Sequence, residues 1–83
     1  MKGITDKMKD SLENAGFIVR MLQNGIEIRK EQNVLEMFYW NKKLVVRKNG
    51  KNENYDELKG VWARQGSICL NLREGNKFFC IKI

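Results

Sequence analysis

The sequence predicts an α+β domain in which one N-terminal helix packs on a strongly curved antiparallel β-meander. Three observations carry this reading. Apolar residues near the N-terminus repeat at helical spacing, the apolar period changes to two after Gly16, and turn-forming pairs recur between the alternating runs. The expected plan is a single domain over residues 1–83, with about seven strands grouped four and three, able to curl into a half-barrel.

Ile4, Met8, Leu12 and Ala15 fall on one stripe of a helix over 5–15. Thr5 suits its N-cap, and Asp6 is favourable in the first turn, where the backbone N–H groups are unpaired. Gly16 suits the left-handed position after the last turn, which brings Phe17 over Leu12 in a Schellman ending.

Strands are expected at about 17–22, 26–31, 34–40 and 43–48. Asn24-Gly25 reads as a type I′ hairpin turn, and further turns fall at Gln32-Asn33 and Asn41-Lys42. These choices pair Arg20 with Arg29, Arg29 with Glu36, Trp40 with Lys43 and Glu36 with Arg47. They also agree with one another. Val19, Met21, Ile26, Ile28, Leu35, Met37, Tyr39, Leu44 and Val46 share a core face. The opposite face carries Arg20, Leu22, Glu27, Arg29, Glu36, Phe38, Trp40, Lys43, Val45 and Arg47. A slip by a single residue would mix the two sets.

Residues 49–60 break the alternation: "NGKNEN" reads as a polar loop and "NYDELKG" as one capped helical turn closed by Gly60. Strands follow at about 61–64, 67–73 and 77–83, joined by turns at Gln65-Gly66 and Gly75-Asn76. Their core face is Val61, Ala63, Ile68, Leu70, Leu72, Phe79, Ile81 and Ile83. A helix over 5–15 is only ~16 Å long and covers three or four strands at ~4.8 Å spacing. The rest of the inner face requires either a curled sheet, which is the expectation, or a homodimer.

Hydrophobic residues make up 42% of the 83-residue chain, a globular composition. Histidine is absent, which removes the commonest general base and metal ligand. No nucleophile–base pair, Gly-rich phosphate loop or metal-ligand spacing stands out, so the chain reads as a non-enzymatic binding protein without a cofactor. Met1–Thr5 leads into a charged run rather than an apolar segment, so no signal peptide or membrane span is expected. Cys69 and Cys80, set diagonally in the expected register, read as free, metal-free thiols of a cytoplasmic protein. Abundant Lys, Asn and Ile fit an AT-rich genome such as that of a low-GC bacterium or its phage.

The net charge of +6 favours anionic partners. On the face opposite the core, Phe38 and Trp40 stand among Lys43, Val45 and Arg47, with Lys42, Lys48 and Lys51 in the adjoining turn and loop. Exposed rings beside cations are what single-stranded nucleic-acid platforms use, bases stacking while Lys and Arg follow phosphates. The plainer reading is that the 49–60 segment covers Phe38 and Val45 while Lys43 stacks on Trp40. Arg20 opposite Arg29 is a like-charge pair, destabilising unless an anion sits between; Glu36 or a ligand phosphate could serve. The expected partner is therefore nucleic acid or a nucleoprotein, bound through Arg20, Arg29, Phe38, Trp40, Lys42, Lys43, Arg47, Lys48 and Lys51. The alternative is a protein-binding inhibitor or adaptor, of phage or mobile-element type, using the same residues against an acidic protein surface.

Overall fold

The computed structural model of the chain describes residues 3–74 and 78–83. Helix α1 spans Asp6–Asn14. It begins where the Thr5 hydroxyl accepts a hydrogen bond from the Met8 N–H at 3.2 Å. At its far end Gly16 adopts φ +97°, and the N–H groups of Gly16 and Phe17 donate to the carbonyls of Glu13 and Leu12. These are the two bonds of a Schellman ending, and both Leu12 and Phe17 are buried.

The strands are β1 (Ile18–Leu22), β2 (Gly25–Lys30), β3 (Asn33–Trp40), β4 (Lys43–Lys48), β5 (Lys51–Tyr55), β6 (Leu58–Arg64), β7 (Ser67–Leu72) and β8 (Phe78–Lys82). All pairings are antiparallel, and they form a five-stranded sheet β1-β2-β3-β4-β5 and a three-stranded sheet β6-β7-β8. The expected helix on antiparallel strands is present, but the division is five and three rather than four and three. Among the described residues the strands form two sheets rather than one curved meander, with no closed barrel.

The difference originates at 49–60. Asn49 and Gly50 have φ of +49° and +87°, the left-handed pair of a type I′ turn. The chain therefore reverses there and runs back along β4 as β5, with Val46 opposite Glu53 and Leu44 opposite Tyr55. No helical turn follows. The chain changes sheets at Asp56-Glu57, where the Asp56 carbonyl accepts from the Leu44 N–H and the Glu57 carbonyl from the Arg73 N–H. The Leu58 N–H, at the start of β6, donates to the Tyr39 hydroxyl at 3.0 Å, fastening one sheet to the other.

Three hairpins lie two residues from the expected register. Leu22 pairs with Gly25 and Lys30 with Asn33, so the first turns are Gln23-Asn24 and Glu31-Gln32 rather than Asn24-Gly25 and Gln32-Asn33. Charge explains the first shift: Glu27, rather than Arg29, now stands opposite Arg20, replacing a like-charge pair by an ion pair. In the last hairpin Cys69 pairs with Cys80 and Leu70 with Phe79. The expected Gly75-Asn76 turn itself lies outside the described residues. The turns at Asn41-Lys42 and Gln65-Gly66 fall as expected, with positive φ at all four residues.

Direct pairing corrects the expectation for the cysteines. Cys69 and Cys80 form a disulfide, with Cα atoms 3.9 Å apart, instead of two free thiols. The two-residue shift turns a diagonal pair into facing neighbours, which is what a cross-strand bridge needs.

Every shift is by an even number of residues, so side chains keep their faces. Ile26, Ile28, Leu35, Met37 and Leu44 from the larger sheet meet Ile68, Leu70 and Val61 from the smaller one in a single core, with Leu12 of α1 at its edge. This core forms within one chain, with Tyr55, Phe79 and Ile81 only partly buried against it. Among the described residues no helix is long and apolar enough to cross a membrane.

Candidate nucleic-acid interface

The outer face of the larger sheet is organised in rows running across its strands. One row reads Leu22, Gly25, Phe38, Val45 and Asn54; the next reads Arg20, Glu27, Glu36, Arg47 and Asn52. The first is apolar up to its last member, and the second sets two central carboxylates between Arg20 and Arg47 before ending in the neutral Asn52.

In the charged row Glu27 is only 7% exposed although it lies on the outer face. Arg29 Nε donates to it at 2.6 Å and Arg20 approaches at 3.4 Å, so the two arginines share one carboxylate. The hydrogen bond from Arg29 holds the Glu27 carboxyl below its ordinary pKa; burial opposes this, and the charges of Arg20 and Arg29 reinforce it. The anion between Arg20 and Arg29 is thus Glu27, from within the chain, and not Glu36. Both arginines remain half exposed or more, but their net charge is reduced to one by the shared partner.

The β3–β4 hairpin gathers the rest. Arg47 lies 5.2 Å from the centre of the Phe38 ring, and its Nε donates to Asn52 Oδ1 at 2.8 Å. The guanidinium thus lies over the ring with its Nε engaged and its terminal nitrogens left for a further acceptor. Trp40, at 68% exposed, stands opposite Lys43 beside the Asn41-Lys42 turn. The cation resting on an aromatic ring of this face is Arg47 on Phe38, not Lys43 on Trp40 as the plainer reading supposed. Phe38, Trp40, Val45, Arg47, Asn52 and Asn54 line one open groove of about 530 Å³.

Gly25 makes room at its edge. A Cβ there would come 2.1 Å from the Met37 carbonyl oxygen and 2.9 Å from Phe38 Cβ. Its φ is not positive, nor are those of Gln23 and Asn24. Gly25 is required by close approach of β3, and not by a left-handed turn.

The structure brings Phe38, Trp40 and Arg47 into one groove, with Lys42 and Lys43 at the adjoining hairpin tip. Arg20 and Arg29 share the face but are engaged by Glu27. Lys48 and Lys51 do not join them: they pair at the end of the β4–β5 hairpin on the inner-face side and line a different groove. Asn52 and Asn54 were not anticipated. The signal for them was the Asn49-Gly50 pair, which predicts the hairpin that lays β5 beside β4. The 49–60 segment thus extends the sheet beside Phe38 and Val45 instead of folding over them.

No family model, curated protein or solved structure matches the chain.

Proposed function

We propose that the chain is a non-enzymatic single-stranded nucleic-acid-binding protein that uses the Phe38–Trp40–Arg47 groove. The observation that carries this reading is the pairing, in one open groove, of a largely exposed indole with a guanidinium fixed over a second ring. Trp40 offers a flat face for a base. Arg47, Lys42 and Lys43 lie within the same hairpin to follow phosphates. Asn52 accepts from Arg47 at its Oδ1 and so retains an amide donor for a base edge, and Asn54 lines the same groove. Stacking with backbone charge and few fixed base contacts is the chemistry of sequence-tolerant single-strand binding.

The test is titration of a fluorescein-labelled twelve-nucleotide oligothymidylate with the wild type, Trp40→Ala and Arg47→Ala. Loss of one stacked base corresponds to about 1–3 kcal/mol, so Trp40→Ala should weaken binding by roughly 5- to 150-fold with an unchanged salt slope. Arg47→Ala should lower the salt slope by roughly 0.7. Equal binding by wild type and Trp40→Ala rules out the stacking role.

A further inference from the structure

The two sheets are unequal in width, and the mismatch leaves part of the core face uncovered. With strands ~4.8 Å apart, the larger sheet overhangs the smaller by two strands. Helix α1 packs on β1 and β6, so it covers the overhang only at that end. At the other end the inner side of β4 and β5 faces the free edge of β8 across an open groove of about 400 Å³. Its apolar lining is Val46, Tyr55, Phe79 and Ile81, and the Tyr55 and Phe79 ring centroids lie 4.8 Å apart.

The β8 edge itself is prepared for pairing. Cys69 and Cys80 stand with Cα atoms 3.9 Å apart, the close spacing of a non-hydrogen-bonded antiparallel pair. The Cys80 N–H and carbonyl therefore point away from β7, and by alternation so do those of Phe78 and Lys82. The segment Phe78–Lys82 is apolar up to Lys82 and carries no proline that would interrupt pairing.

We propose that the β8 edge accepts an added strand from a partner whose extended segment alternates apolar and acidic residues. The added strand would widen the smaller sheet to four and lie over β4 and β5. Its inward side chains would cover the half-buried Tyr55, Phe79 and Ile81, and main-chain hydrogen bonds to Phe78, Cys80 and Lys82 would set its register. Charge selects the partner. Lys48, Lys51 and Lys82 line the groove against the single carboxylate of Glu53. That carboxylate already accepts a hydrogen bond from the Tyr55 hydroxyl. A second copy of this chain would set the same lysines against each other, so the charge pattern disfavours self-pairing.

The experiment is fluorescence anisotropy with two labelled ten-residue peptides, one alternating Val and Glu and one alternating Val and Lys. The wild type should bind the acidic peptide about tenfold or more tightly than the basic one, each exposed ion pair contributing a fewfold. Lys82→Ala removes a charge, whereas Lys82→Pro also removes the outward N–H without breaking a bond to β7. Lys82→Pro should bind the acidic peptide at least about fivefold more weakly than Lys82→Ala, with both variants keeping the wild-type circular dichroism. A Lys51→Glu variant should narrow or reverse the preference between the peptides, and it leaves β8 intact should Lys82→Pro misfold. No binding, equal binding of both peptides, or a wild-type dimer in sedimentation that Lys82→Pro dissociates would each overturn the proposal.

Discussion

Gly25→Ala tests the register of the larger sheet at its most crowded point. The added Cβ would sit 2.1 Å from the Met37 carbonyl oxygen, against about 3 Å for the tightest contacts that real Cβ atoms make. The obstacle is backbone, so no side-chain rotation relieves it; β2 and β3 must separate by nearly an ångström or lose ladder bonds. Overpacking of this kind destabilises by about 1–3 kcal/mol, and a backbone neighbour places Gly25→Ala at the upper end, near 3 kcal/mol. For a domain of this size each kcal/mol lowers Tm by roughly 4–8 °C, so thermal unfolding followed by circular dichroism should shift down by about 12–24 °C. Gly50→Ala is the comparison: φ is +87° there but a Cβ meets open space. The left-handed conformation alone should destabilise it by about 1–2 kcal/mol. Gly25→Asn separates the two explanations for Gly25. If the residue occupied a left-handed turn position, asparagine would be tolerated better than alanine; close approach makes asparagine at least as harmful. A Gly25→Asn protein clearly more stable than Gly25→Ala would refute the register and restore the Asn24-Gly25 turn.

Other outcomes follow from the same contacts. Tyr39→Phe leaves the Leu58 N–H without its acceptor and should destabilise by about 1–3 kcal/mol, measured by urea unfolding. Non-reducing mass spectrometry should find Cys69 and Cys80 joined, and reduction should lower stability by about 2–3 kcal/mol for so short a loop. Because the folded Glu27 carboxyl is held below its ordinary pKa of 4.5, its ion pairs contribute fully above that value. Their contribution is lost as pH falls through the lower folded pKa; Glu27→Gln should flatten the stability profile below about pH 5. At the alkaline end, burial and the hydrogen bond to Glu53 push the Tyr55 hydroxyl up to about 12. Stability should therefore decline as pH rises from about 10 towards 12, and Tyr55→Phe should remove that decline.

Faces were legible in the sequence where partners were not, and the pleat explains why. Alternation reports which side of a sheet a residue occupies, and a register error of two residues leaves that side unchanged. Hence Val19, Ile28, Met37 and Leu44 appear in the core as expected, while Arg20 faces Glu27 instead of Arg29. Two Asn-Gly pairs competed for the same interpretation. Asn49-Gly50 makes the left-handed turn, and Asn24-Gly25 does not, because cross-strand charge and the approach of Phe38 decide the first hairpin. Strand β5 was hidden because Lys51–Tyr55 overhangs the smaller sheet, so it buries little and carries no apolar alternation. In the candidate site, Phe38, Trp40, Lys43 and Arg47 were readable from parity alone. Asn52 and Asn54 depended on a strand with no hydrophobic signal, and the separation of Lys48 and Lys51 from the groove depended on that same strand.

Single-stranded nucleic acid held on the β3–β4 hairpin by stacking and phosphate contacts should bind with a definite salt dependence. With Lys42, Lys43 and Arg47 as phosphate contacts, at roughly 0.7 each for a single strand, the log–log slope should be close to −2. Raising salt fourfold, from 50 to 200 mM, should then weaken oligothymidylate binding by about twentyfold. That slope should come together with quenching of Trp40 fluorescence on saturation, absent in Trp40→Ala. An oligonucleotide that fails to bind at 50 mM salt, or binds without any change in Trp40 emission, would rule out this mode of binding.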